Sequence, residues 1–315
     1  MNRQINIQLV RNDDIDKNRW DQTMDEASNG IAFGYSWYLD ATFPNWSALI
    51  SDDYTYIFPL SINRKLGISY LYSPIYTMQL GIYSKQIITD EIIQLFFNKL
   101  PRNIYSIDYS TNQQQNYIPL GFHFKRNTCQ YIDLSKSYTE IIKGYSSNLK
   151  RNLKKAIKAD LSIVESTDIK SVVNMFKDHR GVLIKNVSEH NYQTLNKLIT
   201  NTLVNKKGVI YQVYCGDELL ASCFFSMTNH RMIYHKGGVN PKGKKLGAMH
   251  FLIDQLIKKY AGSNIFFDFG GSSLDAVKRF NENFGKLEYT YLQLQKGITF
   301  INLLRKVKNK LFQFK

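Results

Sequence analysis

Three short stretches hold residues whose types could do chemistry. The run Lys242-Gly243-Lys244-Lys245-Leu246-Gly247-Ala248 is basic, contains two glycines and opens a helical pattern. Unpaired N–H groups and the positive end of a helix dipole make such a turn a place for an anion. A plain strand-to-helix turn with solvated lysines is the competing reading. His235 closes a β-rich run just before Gly237-Gly238, and an imidazole of ordinary pKa could take a proton near neutrality. Nothing in sequence pairs it with an orienting carboxylate, so a surface or core-edge histidine competes. Asp268 ends an apolar run and precedes Gly270-Gly271-Ser272. Its carboxylate could hold an ammonium or hydroxyl of a substrate, or cap the turn, and Ser272 has the same two readings. No set of His, Cys, Asp and Glu has metal-ligand spacing, so no metal is expected.

A second group could bind rather than react. Tyr35, Trp37, Tyr72 and Tyr76 could stack on a base or sugar, with core packing as the alternative. Lys150 and Arg151 could meet phosphates, or belong to a solvated face. The net charge of +15 over 315 residues attracts polyanions without choosing among nucleic acid, nucleotide phosphate and acidic lipid. Cys129, Cys215 and Cys223 match neither a zinc site nor a disulfide framework and read as reduced, buried thiols. With no apolar leader after Met1 and no run of about 18 apolar residues, a cytoplasmic protein is expected.

The elements that must position these residues are clearest in the second half. Apolar spacing predicts helices over 167–179 and from Ser188, then three antiparallel strands at 209–215, 219–227 and 232–235. The glycine-containing loop 237–243 follows, then a helix to about Tyr260 and a buried strand at 265–269. A helix capped by Ser272 or Ser273 comes next, closed by Gly285 in the left-handed region, and a last strand spans 287–294. The first half blurs the same order. It has a strand at 5–10, helical segments before Pro44, strands at 46–51 and 54–62, a helix at 89–99, and strands at 104–109 and 130–134. Between the halves, 138–160 reads as one strongly basic amphipathic helix.

The order helix, helix, three antiparallel strands, glycine loop, helix, strand, helix, strand resembles the GNAT acyltransferase core, with 161–165 as its first strand. Ser147-Asn148-Leu149-Lys150-Arg151-Asn152-Leu153-Lys154-Lys155-Ala156 resembles the connecting motif of FemAB-like proteins. So do Asp268-Phe269-Gly270-Gly271-Ser272 with Lys278-Arg279-Phe280-Asn281-Glu282-Asn283-Phe284-Gly285, and Gln79-Leu80-Gly81-Ile82 after Ser73-Pro74-Ile75-Tyr76. The matches scatter from about residue 35 to 295.

The resemblance implies an α/β (α+β) protein of two GNAT-like domains, with mixed, mostly antiparallel sheets flanked by helices. A degenerate N-terminal domain occupies 1–137 and is completed by 298–315. The basic connecting helix is 138–160, and the acyltransferase domain is 161–297. The tail 298–315 is an amphipathic basic helix that packs back or lies on an anionic membrane at its inner face. The family's donor loop falls on Lys244, Lys245, Leu246, Gly247 and Ala248. Lys244 and Gly247 fit its pattern, whereas Met249 replaces a small residue and would crowd a phosphate. His235 and Asp268 are the catalytic candidates. Tyr35, Trp37, Tyr72, Tyr76, Lys150, Arg151 and Ser272 are the acceptor-side candidates.

The activity expected is acyl or aminoacyl transfer to an amine. The donor is a co-substrate, acyl-CoA or another acyl thioester, or aminoacyl-tRNA, with no cofactor tightly bound. The acceptor is a cell-envelope or polysaccharide precursor such as a nucleotide-linked sugar or a muropeptide. The competing class is a non-catalytic RNA-binding or membrane-peripheral protein on a decayed transferase scaffold, motivated by the charge and by Met249.

Overall fold

The computed structural model describes residues 5–65, 67–183, 187–228, 230–271 and 275–297. Ser272 and the basic tail 298–315 lie outside the described residues. The chain divides into two compact units, Met1–Asn127 with Thr290–Lys315, and Thr128–Tyr289.

The first unit runs β1 (Ile7–Arg11), α1 (Lys17–Glu26), α2 (Ser36–Thr42), β2 (Ser47–Ser51), β3 (Tyr56–Leu60), β4 (Ile62–Lys65), β5 (Ile68–Tyr72), β6 (Tyr83–Ser84), α3 (Asp90–Asn98) and β7 (Ile104–Ser110). Strands β1, β2, β3 and β6 form an antiparallel sheet in that order. Strand β4 pairs antiparallel with β5, β5 runs parallel to β7, and the returning strand Glu288–Lys296 pairs antiparallel with β7 from Gln293 onward. The expected single strand at 54–62 is therefore two strands, parted at the buried Ser61, that pair with different partners. Side chains place the helix starts: Asp16 accepts the N–H groups of Asn18 and Arg19, and Thr89 accepts that of Ile92. Aromatic rings fill the centre. Trp20 and Trp46 sit 4.8 Å apart, and Phe58 meets Tyr109 edge-on at 5.5 Å.

Strand β8 (His123–Asp133) enters the second unit at Thr128. There follow α4 (Tyr138–Ile141), α5 (Ser147–Lys158), β9 (Leu161–Ser166), α6 (Ile169–His179), α7 (Glu189–Val204), β10 (Gly208–Cys215), β11 (Glu218–Thr228), β12 (Arg231–Val239), α8 (Pro241–Leu246), α9 (Ala248–Tyr260), β13 (Phe266–Asp268) and α10 (Asp275–Asn281). The sheet order is β8-β13-β12-β11-β10-β9. Its pairs are antiparallel except β12 with β13. Helix α9 lays Leu252, Ile253, Leu256 and Ile257, each at most 1% exposed, against the sheet. Each such side chain stabilises the fold by about 1.5–3 kcal/mol relative to an exposed position.

Four expectations change in this unit. The basic helix at 138–160 is broken: Tyr145 is extended and buried, its hydroxyl donating to Asp254 on α9 at 2.9 Å, and Ser146 then caps α5 through the N–H of Leu149. The glycines at 237–238 belong to β12 rather than to a loop. A Cβ on Gly238 would lie 2.0 Å from the Met175 carbonyl oxygen, so the glycine lets α6 approach the strand. The helix after Pro241 is two helices, because Gly247 adopts φ +78° between them. Gly285 has no positive φ; the Asn283 side chain satisfies the last carbonyls of α10, those of Arg279 and Phe280, in its place.

Candidate functional site

Parallel pairing of β12 with β13 covers only Arg231–Ile233 against Phe266–Asp268. Beyond it, a cavity of about 330 Å³ opens beside the C-terminal half of β12. Tyr234, Gly237, Gly238 and Val239 line it from β12, and Gly243, Lys244 and Gly247 from the turn region. Met249 and His250 contribute from α9, and Ala276, Val277, Phe280 and Asn281 from α10. Arg180, just after α6, stands at its edge. No acidic residue lines the cavity among the described residues, and Lys244 and Arg180 are both exposed. The wall therefore favours an anion at its rim and apolar groups within.

The donor-loop residues separate by role. Lys244 and Gly247 reach the cavity, Lys245 is exposed, Leu246 packs against the core and Ala248 is fully buried in it. Asn240 caps α8, accepting the Gly243 N–H at 2.7 Å. A Cβ on Gly247 would sit 2.9 Å from the Asn152 carbonyl oxygen, so α5 packs directly on this turn. Met249 lines the cavity with its sulfur 3.5 Å from Cys223 Sγ.

His235 is not among the cavity residues and does not keep its ordinary pKa. A β-bulge sets Phe224 opposite Lys236 and Phe225 opposite Tyr234, leaving His235 as the extra residue of β12. Its ring stacks on Phe224 at 5.2 Å, and its Nε2 lies 2.6 Å from Ser226 Oγ. Burial, with the neighbouring Lys236 charge adding, pushes its pKa down to about 3. That value corrects the near-neutral base expected from sequence. Lys236 is itself pulled down to about 8 by burial and then by the Arg180 charge.

Asp268 is fully buried and already engaged. Oδ1 accepts from the Gly270 N–H at 2.8 Å and from Cys129 Sγ at 2.9 Å; Oδ2 accepts from Tyr289 Oη at 2.6 Å and Arg231 Nη1 at 3.2 Å. Burial and the Asp268 charge hold the Cys129 thiol and the Tyr289 phenol well above their usual pKa. Of the two readings of Asp268, this geometry favours the turn cap. It fastens Gly270, which like Gly271 is at positive φ, at the end of β13.

Lys150 and Arg151 lie exposed on α5 with Lys154, Lys155 and Lys158. The aromatic candidates belong to the first unit. Tyr35 and Trp37 are 2% and 7% exposed and stack at 5.3 Å, with Tyr35 Oη donating to Asp25 at 2.8 Å. Tyr72 is half-buried, edge-on to Phe43 at 5.9 Å. Tyr76 is half-buried at φ +63°, its carbonyl accepting from Tyr38 Oη at 2.5 Å. Tyr35 and Trp37 thus pack as core. Among the described residues no cluster of three His, Cys, Asp or Glu could hold a metal, and no helix is long and apolar enough to cross a membrane.

Sequence reading missed Arg180, Tyr234 and His250 as cavity residues. His250 follows the glycine turn by three positions, so the helical period already placed it near the turn's face.

Residues 144–280 match the family model described as an acetyltransferase (GNAT) domain. No curated protein sequence matches the chain. Among solved structures it is similar to FemX, at 11% identity and TM-score 0.69, over 92% of this chain and 98% of that one. It is also similar to L-PGS from Bacillus licheniformis, at 11% identity and TM-score 0.57, over 93% and 97%. A tandem GNAT protein from the clavulanic acid biosynthesis pathway aligns at 10% identity and TM-score 0.50, over 92% and 98%. At these identities the likeness is one of fold. Residues 144–280 thus match a GNAT acetyltransferase domain, and the fold of the chain is similar to that of FemX and of a tandem GNAT protein.

Proposed function

We propose that the protein transfers an acyl or aminoacyl group from a polyanionic carrier to an amine of a cell-envelope or polysaccharide precursor, such as a nucleotide-linked sugar or a muropeptide. The observation that carries this reading is the cavity beside β12, with cationic Lys244 and Arg180 at its edge and Met249, Val277 and Phe280 inside. The carrier's phosphates meet the rim, and the thioester or ester lies along Gly237 and Gly238. The amine nitrogen attacks the acyl carbon, a C–N bond forms, and the C–S or C–O bond to the carrier breaks. The proton lost by the amine ends on the carrier's thiol or hydroxyl. Imidazoles at about 3 and about 4 (His235, His250) are too weak to deprotonate an ammonium near neutrality.

Coenzyme A thioesters and aminoacyl-tRNA share this carrier chemistry, and the exposed basic face of α5, packed on the Gly247 turn, suits the larger of the two. The test is transfer by purified protein from acyl-coenzyme A and aminoacyl-tRNA to amino sugars and muropeptides, beside Lys244→Glu. Charge reversal there is expected to weaken donor binding by about 10–100-fold, the range of a charge-assisted contact. Binding that ignores the acyl group, with no transfer from any donor, would sink the transferase reading in favour of a non-catalytic RNA-binding protein.

A further inference from the structure

Along α9 and α10 the cavity wall is built from Met249, Val277 and Phe280, with two polar side chains among them, Asn281 and His250. Asn281 is satisfied, its Nδ2 donating to Gln130 Oε1 at 3.2 Å. His250 is not: its Nε2 is buried without a partner among the described residues, and its ring lies against Phe280 at 4.8 Å and Phe284 at 6.1 Å. Burial among these rings drags its pKa down to about 4, so near neutrality the imidazole is uncharged and carries one N–H and one lone pair. Buried polar atoms without partners are rare in native proteins, and in the wall of a ligand cavity the natural partner is the ligand. The terminal torsion of histidine is two-fold. A half-turn exchanges ring nitrogens with carbons in the same volume and can bring a nitrogen to the cavity.

We propose that His250 is a specificity-determining residue of the site, hydrogen-bonding a hydroxyl or amino substituent on the acyl group being transferred. This rests on the transferase reading above. An unsubstituted acetyl group would sit beside Met249 and Phe280 but leave the imidazole unpaired, whereas a 2-hydroxyacyl or 2-aminoacyl group completes it. A site with a buried polar atom rejects the ligand that cannot satisfy it far more strongly than an apolar pocket rejects an added hydroxyl. His250 makes and breaks no bond in the transfer.

The experiment uses the full chain with nitrogen-labelled histidine, His250 being assigned by the signal lost in His250→Phe. Acetyl-, glycolyl- and glycyl-coenzyme A and alanyl-tRNA are titrated in turn, and transfer is measured with the same donors. A polar-substituted donor is expected to shift the His250 nitrogen resonances where acetyl-coenzyme A does not. The ratio of kcat/KM between substituted and plain donors on one carrier is expected to exceed about 100, the discrimination an apolar pocket reaches without a hydrogen bond. It collapses in His250→Phe and recovers in His250→Asn. No shift with any donor, or a folded His250→Phe that keeps the discrimination, overturns the inference. A substituent-dependent shift without turnover upholds the contact and defeats the transferase reading. Turnover without that shift does the reverse.

Discussion

Asp268 Oδ2 lies 3.2 Å from Arg231 Nη1, with side chains 1% and 10% exposed. A buried ion pair of this kind is costly to break from one side, because the surviving charge keeps its desolvation penalty and loses its partner. Asp268→Asn preserves shape and removes the charge, and is expected to destabilise the second unit by about 3–5 kcal/mol in denaturant unfolding. Asp268→Asn with Arg231→Met removes both charges while keeping an amide oxygen for Gly270 and Cys129, and should recover part of that loss. Donor affinity of the folded Asp268→Asn protein should stay within about a factor of three, roughly 0.6 kcal/mol. A much larger loss would show that the carboxylate touches the ligand as well as the turn.

Buried histidines give the second unit a pH dependence whose sign can be worked out. His235 and His250 fall from 6.5 to about 3 and about 4 on folding. The unfolded chain takes up the protons that the folded chain refuses, so their stabilisation is full above pH 6.5 and is lost as pH falls through it. At pH 5 each histidine has withdrawn about 2 kcal/mol, 1.5 pH units at roughly 1.4 kcal/mol per unit. Asp21 in the first unit works the other way. Burial raises its carboxyl to about 6, so its contribution grows as pH falls from 6 toward 4. Amide hydrogen exchange at pH 7 and 5, corrected for intrinsic rates, should show Leu252 losing protection relative to Trp20. Equal losses at both would contradict the assignment.

Two glycines separate packing from backbone freedom. Gly238→Ala would set a Cβ 2.0 Å from the Met175 carbonyl oxygen and push α6 off β12. The expected cost is above about 3 kcal/mol, at the severe end for a single substitution. Gly285→Ala meets nothing within 4 Å and needs no positive φ. It should stabilise by about 0.4–1 kcal/mol by restricting the unfolded chain. Chemical denaturation of the two variants checks both signs.

Those glycines also mark where sequence reading reaches its limit. The elements from β9 onward were legible because α6, α7 and α9 each carry an apolar stripe at helical spacing and β10 and β11 are bounded by turn residues. Gly237 and Gly238 read as a loop because glycine signals turns more often than the close approach that α6 needs here. His235 read as a base because its burial is set by the neighbouring strand β11, whose Phe224 ring lies eleven residues back in the chain. Arg180, Tyr234 and His250 carry no local motif. They meet at one cavity only once α6, β12 and α9 have packed, so their grouping is a property of tertiary structure. Asp268 was legible as a carboxylate at the end of a buried strand, and of its two readings its four donors favour the turn cap.

The basic face of α5 distinguishes the two carriers. Lys150, Arg151, Lys154, Lys155 and Lys158 are exposed, and α5 touches the Gly247 turn through Asn152. If the carrier is tRNA, these side chains neutralise phosphates and release counterions, so log affinity falls linearly with log salt. Each lost contact then reduces the slope by about 0.7–0.9. Lys150→Gln, Lys154→Gln and Lys158→Gln together should flatten the slope for aminoacyl-tRNA by about 2–3 if all three reach phosphate. Coenzyme A is too small to reach along α5 and meets only the rim at Lys244 and Arg180, so the triple variant should bind it unchanged. Filter binding of tRNA and calorimetry of acyl-coenzyme A across a salt series measure the two arms. A triple variant that loses neither slope nor affinity for tRNA would leave α5 as a solvated face and move the donor assignment to the thioester.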